Sequence, residues 1–181
     1  MELIARRLDP AEWSEAARVI ARSLQESMTP MFPGPAAERL ITLYDRYGGL
    51  PTDGGVAVGV FGDRHLLGAA RAVPYPLCMC RHELPAEAPQ AARDYQAFRL
   101  ANHPNRPHWF VGPVGVEPGL QRAGIGTLAM QELIRLVTGA GLVCLEAEDH
   151  NVAFYERAGF RPALRALGPD GVPLTFLEAH V

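Results

Sequence analysis

Hydrophobic positions along the chain switch between a strand-like and a helix-like period, and the switches outline the elements. Residues 2–8 read as a short first strand. Asp9-Pro10-Ala11-Glu12 is a helix start: Asp9 can cap, Pro10 suits the first helical position, and Glu12 can close a capping-box-like pair. Trp13, Ala16, Ala17, Ile20 and Leu24 then share one helical face, and this helix is expected to end near Gln25. Residues 28–35 read as a proline-broken loop offering Met31 and Phe32 either to the core or to a substrate wall. A second helix is expected from about Pro35 to Tyr47, with Ala37, Leu40, Ile41 and Tyr44 on its apolar face and Gly48-Gly49 as its stop.

Gly55–Phe61 and His65–Val73 read as two strands joined through Gly62-Asp63-Arg64, which has hairpin-turn chemistry. Pro74, Pro76, Pro85 and Pro89 break up the next segment, and a third helix is expected from Pro89 to Ala101. After a loop over 102–107 comes a strand, His108–Val116, then a Gly-rich turn at 117–126. The following helix, to Thr138, sets Ile125, Ala129, Leu133, Leu136 and Val137 against a polar stripe of Gln131, Glu132, Arg135 and Thr138. Leu142–Ala147 reads as a buried strand and Val152–Ala158 as a short helix ended by Gly159. Final strands over about 160–166 and 172–179 turn at Pro169-Asp170-Gly171. The fold class is α/β (α+β), with an antiparallel first half and a parallel β-α-β unit over 108–147.

A length of 181 residues makes one domain the default. Hydrophobic residues at 48% and charged residues at 20% are ordinary for a globular chain. The net charge of -3 argues against non-specific nucleic-acid binding, which needs a basic footprint. No run of ~18 apolar residues marks a membrane span. The opening MELIARRLDP lacks the apolar stretch and cleavage site of a signal peptide, so a cytoplasmic location without membrane contact is expected. Cys78, Cys80 and Cys144 are too few, and odd in number, for a disulfide framework. Cys78, Cys80 and His82 alternate as C-x-C-x-H, but zinc sites usually leave about two to four residues between cysteines. No metal is therefore expected, and the thiols read as strand-borne and partly buried. A homodimer is expected only because two-fold homo-oligomers are common.

The chemistry concentrates in residues 114–130, VGVEPGLQRAGIGTLAM. A strand ends at Val116, a turn carries Gly119, Gly124 and Gly126, and a helix begins at once. Glycines let backbone N–H groups approach a ligand, and those at a helix N-terminus are unpaired. They sit at the positive end of the helix dipole, which suits a phosphate or pyrophosphate, and Arg122 adds a charge beside them. A P-loop fails because Ile125 stands where its lysine belongs. A dinucleotide fingerprint starts at Gly124-Ile125-Gly126 and ends on Ala129, with Glu146 and Glu148 downstream, but no Rossmann unit precedes this late turn. A plain strand–helix turn is the remaining alternative. Upstream, Gly112-Pro113 interrupts the strand, and proline cannot donate to a central ladder. A bulge or splay is expected there, leaving backbone groups free to pair with an extended ligand.

With Asn151-Val152-Ala153-Phe154-Tyr155-Glu156-Arg157-Ala158-Gly159-Phe160 added, the chain resembles the GNAT superfamily of N-acetyltransferases. Three pieces carry the resemblance: the strand V-G-V, the turn Q-R-A-G-I-G against a family pattern Q/R-x-x-G-x-G/A, and N-V-A-F-Y-E-R-A-G-F with its tyrosine and Gly-Phe. It is close over about 108–166 and loose over the rest. It implies a mixed, mostly antiparallel central sheet with a parallel β-α-β core and helices on both faces. It further implies an acceptor-side part over about 1–107 and an acetyl-coenzyme A-binding core over about 108–166. The implied activity is acetyl-coenzyme A-dependent N-acetyl transfer to a primary amine of a small molecule or peptide, by direct attack in a ternary complex. The pyrophosphate role falls on the turn opening at Gln121, through Arg122, Ala123, Gly124, Ile125, Gly126 and Thr127. The pantetheine arm falls to Val114, Gly115 and Val116, with Asn151 and Tyr155 also on the cofactor.

Tyr155 matches the position that protonates the leaving thiolate, and a thiol at ~8.5 beside a phenol at ~10 suits that exchange. A free N–H on the splayed strand can stabilise the developing oxyanion. Glu117, at the strand end, and Glu146, on the strand facing the cofactor arm, are candidate bases for the amine. The resemblance also points to Thr29–Pro35 as an acceptor wall, apolar through Met31 and Phe32. A coenzyme A-binding sensor without catalysis is the alternative.

Overall fold

A computed structural model describes residues 2–28, 54–79 and 90–181. The expected loop at 29–35 with Met31 and Phe32, the expected helix at 35–47, and Cys80 and His82 lie outside the described residues.

The chain opens with β1 (Leu3–Arg7) and a 3-10 turn, Pro10–Glu12, that leads into α1 (Trp13–Met28). The helix start follows the sequence reading: the Glu12 carboxylate accepts from the Asp9 N–H at 2.9 Å and pairs with Arg6 at 2.5 Å. That helix runs past the expected end at Gln25, since nothing in Gln25-Glu26-Ser27-Met28 opposes it and the first proline is Pro30. Then come β2 (Val56–Gly62), β3 (His65–Pro74), α2 (Gln90–Asn102), β4 (Trp109–Val116), α3 (Ile125–Val137), β5 (Leu142–Glu148), α4 (Asp149–Arg157), β6 (Arg161–Leu167) and β7 (Pro173–His180). Asp63 and Arg64 make the β2–β3 turn with φ of 50° and 69°.

One sheet of seven strands runs β1-β2-β3-β4-β5-β7-β6. Every neighbour pair is antiparallel except β4 with β5. That parallel pair touches only at its start, Trp109 against Val143 and Phe110 against Cys144. Both strands continue, to Val116 and Glu148, without pairing to each other, and the β3–β4 ladder slips between Ala70 and Ala72. The splay expected from Gly112-Pro113 is therefore present, and that peptide bond is cis.

The core lies in two layers, one on each face of the sheet. Ile125, Ala129, Met130, Leu133 and Val137 of α3 share one core with Val56, Val58 and Val60 of β2 and with Val143, Leu145 and Ala147 of β5. Met130 joins the buried face of α3, and the expected Leu136 packs against it half-buried. Val152, Phe154 and Tyr155 of α4 join this layer. On the other face Trp13, Ala16, Ala17, Val19, Ile20 and Ala21 of α1 pack on Ala57, Leu66 and Ala69, with Tyr95 of α2 beside them. The strand period of two explains the split, since Val58 and Ala57 face opposite sides.

At Gly115 α1 packs hard against the sheet: a Cβ there would lie 2.7 Å from the Ile20 Cα and 3.1 Å from the Ser23 Cβ. Backbone cannot yield as a side chain can, so Gly115→Ala is expected to cost about 1–3 kcal/mol by overpacking. Gly119→Ala, whose Cβ meets nothing within 4 Å, is the control. Thermal unfolding of the two variants checks this, and an unchanged midpoint in Gly115→Ala would remove the close-approach account.

Candidate active site

The open end of the β4–β5 fork is where the two strands hand over to helices. The turn after β4 delivers the N-terminus of α3, and β5 passes straight into α4. The expected start of α4 at Val152 moves forward to Asp149, because Glu148 already holds an extended N-cap conformation (φ −67°, ψ 153°) and Asp149 favours the positive helix end. In an open α/β sheet, the carboxyl ends of diverging strands are where ligands bind.

The turn itself is an open cradle. Gly124, the N-cap of α3, has φ 83° and no side-chain cap. Arg122 also sits at positive φ, 66°. The first bond of the helix is Leu128 N–H to the Gly124 carbonyl at 3.0 Å, which leaves the amides of Ile125, Gly126 and Thr127 without helical acceptors. Gln121, Arg122, Ala123, Gly124 and Thr127 are exposed, Gly126 is half-buried and Ile125 anchors the turn in the core. A Cβ on Gly124 would meet nothing within 4 Å, so the space before these amides is clear. One on Gly126 would lie 3.4 Å from Phe154, so that glycine serves the contact with α4.

Along β4, successive residues alternate between β3 and the fork. The Glu117 N–H bonds the Leu67 carbonyl at 2.9 Å, so Val116 and Val114 turn their polar groups toward the fork and Gly115 turns its own toward β3. The Val116 N–H is held by the Ser23 hydroxyl of α1 at 3.1 Å. Ser23 was not legible as a site residue, since the contact spans 93 positions and nothing around it marks chemistry.

The two candidate bases separate. Glu117 receives both Arg22 Nε, at 3.1 Å, and Arg22 Nη2. Glu117 is thus taken up in a two-point ion pair with Arg22. Glu146 points to the α1–α2 face, opposite Leu145 and Ala147. Its Oε1 accepts from the Tyr95 hydroxyl at 2.7 Å, while Oε2 is shut from solvent without a partner among the described residues. Burial raises its pKa above the usual carboxylate value, while Arg99 and the Tyr95 hydrogen bond pull it back. Tyr95 and Arg99 are the other residues sequence reasoning missed.

Tyr155 comes from the opposite layer, edge-on to Phe154 and Phe160 at ring separations of 4.9 and 6.2 Å. Burial pushes its hydroxyl up to about 12, so it keeps its proton at any working pH. Asn151 is exposed in the first turn of α4, its amide 3.0 Å from His150 Nε2. Among the described residues no helix is long and apolar enough to cross a membrane.

The chain matches the description "Acetyltransferase (GNAT) family" over residues 21–160. Solved structures agree in fold. A Corynebacterium glutamicum protein described as histone acetyltransferase HPA2 and related acetyltransferase is 18% identical, with a TM-score of 0.71 over 100% of this chain and 98% of that one. PaiA N-acetyltransferase of Thermoplasma acidophilum, solved with coenzyme A, is 14% identical with a TM-score of 0.62 over 100% of both chains. The ribosomal-protein-S18-alanine N-acetyltransferase of Escherichia coli is 15% identical with a TM-score of 0.59 over 99% of this chain and 94% of that one. The forked sheet, the uncapped glycine turn at its open end and the family match over residues 21–160 agree: this chain belongs to the GNAT family of acetyltransferases.

Proposed function

We propose that the chain carries an acetyl group from acetyl-coenzyme A to a primary amine of a small molecule or peptide, by direct attack in a ternary complex. The observation that carries the reading is the fork: β4 and β5 part after Phe110 and Cys144, and the bared amides of α3 stand at the open end. A pyrophosphate fits the cradle before Ile125, Gly126 and Thr127, where Gly124 leaves clear space and Arg122 adds charge. The pantetheine arm then lies along Val114 and Val116, whose polar groups face the fork. The Ser23 hydroxyl on the Val116 N–H yields to, or shares, that ligand. Two neighbours support an amine acceptor by name, one solved with coenzyme A and one acting on a ribosomal-protein alanine.

Glu146 is the base in this reading, and Glu117 is the structural partner of Arg22. The amine approaches from the α1–α2 face, where Glu146 Oε2 is unengaged, and gives up its proton there. The thiolate departs toward α4, where Tyr155 donates. Burial makes Tyr155 a weaker acid than the sequence values implied. Desolvation acts in the same sense on a leaving thiolate, so the exchange calls for a sulfur that is itself shut from water.

Thermal unfolding with acetyl-coenzyme A, NADH and ATP in parallel tests the cofactor. Saturating acetyl-coenzyme A alone is expected to raise the midpoint by about 5–10 °C; no rise would sink the assignment. Tyr155→Phe is expected to lower kcat by about 10–100-fold while leaving that midpoint rise intact. An unchanged rate would remove Tyr155 as the acid, and a wild-type protein that binds but turns over no amine would favour the sensor reading.

A further inference from the structure

Around Cys78 the fold gathers two histidines that the sequence did not pair with it. That cysteine lies in a 3-10 turn, Leu77–Met79, after β3, and not on a strand as its sequence suggested. Its neighbours are His103, just past α2, and His108, just before β4; the three ligand atoms lie within 4.8 Å of one another, and all three residues are buried. Cys78 Sγ is 3.2 Å from His108 Nε2.

Each part of the cluster is set up as a donor. His108 Nδ1 is 2.6 Å from the Arg106 carbonyl, which accepts a hydrogen bond from Nδ1–H and leaves the Nε2 lone pair facing Cys78. Metal-bound histidines are held by such a second hydrogen bond, which fixes the tautomer and the ring. A thiol donating to Nε2 would account for the Cys78–His108 pair alone. It does not account for His103, which is 7% exposed and has both ring nitrogens buried without a partner among the described residues. Rings of His108 and Phe110 hold it at 5.0 and 4.3 Å. Burial lowers its pKa to about 3, and burial lowers that of His108 as well, so both imidazoles are neutral and carry lone pairs. A tetrahedral zinc with Zn–S of ~2.3 Å and Zn–N of ~2.0–2.1 Å sets its ligand atoms roughly 3.3–3.6 Å apart. The Cys78–His108 pair, at 3.2 Å, is already at that spacing, and the widest pair would close by at most about 1.5 Å.

We propose that Cys78, His103 and His108 form a binding site for a thiophilic cation, zinc in the first place. One thiolate and two imidazoles are the donor set that zinc accepts, and three protein ligands leave the fourth position to water. The thiol proton is released on binding, so affinity falls as the medium is acidified. Two ligands stand at the ends of the loop between α2 and β4 and the third in the turn after β3, so the cation ties the end of α2 to the sheet. Tyr95, which holds Glu146, rides on that helix.

The test uses the full chain, stripped with a chelator, titrated with cobalt as a spectroscopic probe and with zinc in thermal unfolding. Expected are one equivalent of cobalt, tetrahedral visible bands with a thiolate charge-transfer band, and a midpoint rise of about 5–10 °C at saturating zinc. His103→Phe keeps an aromatic ring on Phe110 and removes the two unpaired nitrogens. It is expected to fold at least as stably as the stripped wild type and to lose both the bands and the zinc response. Cys78→Ser is expected to lose the charge-transfer band, whereas Cys80→Ser and Cys144→Ser keep it. A stripped wild type that takes up no cobalt or zinc overturns the proposal. So does a His103→Phe protein that binds as the wild type does, or a band that vanishes in Cys80→Ser and survives in Cys78→Ser.

Discussion

Replacing Glu146 with glutamine is expected to lower kcat by about 10²–10⁴-fold, the range lost when a positioned general base is removed. Glutamine keeps the volume and can still accept from Tyr95 through its amide oxygen, so the hydrogen bond at 2.7 Å has a successor. What it cannot do is take a proton. Cofactor binding should be unchanged, because the α3 cradle lies on other elements. The loss should therefore fall on kcat, with the coenzyme dissociation constant preserved.

The pH dependence separates a base from a structural carboxylate. Burial raises the Glu146 pKa in the folded protein, so the acid limb of kcat/KM should lie above the usual carboxylate range in the wild type. In Glu146→Gln only the limb belonging to the amine itself should remain. Stability must run the other way. In the unfolded chain Glu146 ionises near its ordinary ~4.3. Between that and its raised folded value, the folded protein holds a proton that the unfolded chain has released, so stability falls as pH rises through this window. Below the window the contribution is fully present. The wild type is thus expected to gain activity and lose stability over one pH interval, and the glutamine variant to show neither change. A glutamine variant with wild-type kcat and the wild-type acid limb would leave Glu146 as a buried structural group and return the base to water.

Local signals were legible and long-range ones were not. Pro10, the glycine turn and Pro169-Asp170-Gly171 each act within a few residues, and each stands where the sequence put it. The fork was legible too, because proline at 113 removes a ladder donor whatever surrounds it. Strand order was not, since β7 lies between β5 and β6 through pairings that no local pattern encodes. The same limit governs the site. Both carboxylates were visible as candidates, but only the fold shows that Arg22, 95 positions away, occupies Glu117, and that Tyr95, 51 positions away, leaves half of Glu146 unengaged. The same limit hid the cluster at Cys78, which finds His108 across 30 positions, on the far side of α2.

Gly124→Val is the second large effect, and the fold tells why it should be confined to the ligand. Gly124 holds φ 83°, a conformation that a β-branched residue resists, yet a Cβ there meets nothing within 4 Å. The free protein should fold, at a cost of roughly 1–2 kcal/mol for a left-handed residue. The added methyls enter the clear space before the amides of Ile125, Gly126 and Thr127. A pyrophosphate displaced from about two charge-assisted hydrogen bonds, at roughly 1.5–3 kcal/mol each, loses about 10²–10⁴-fold in affinity. Acetyl-pantetheine, which lacks the pyrophosphate, separates the causes. Wild type and Gly124→Val should acetylate an amine equally well, and equally slowly, from that donor, while only the wild type gains from the full coenzyme. Tight coenzyme binding by the valine variant would make the turn a structural one. An equal loss with both donors would mean that the substitution had damaged the fork itself.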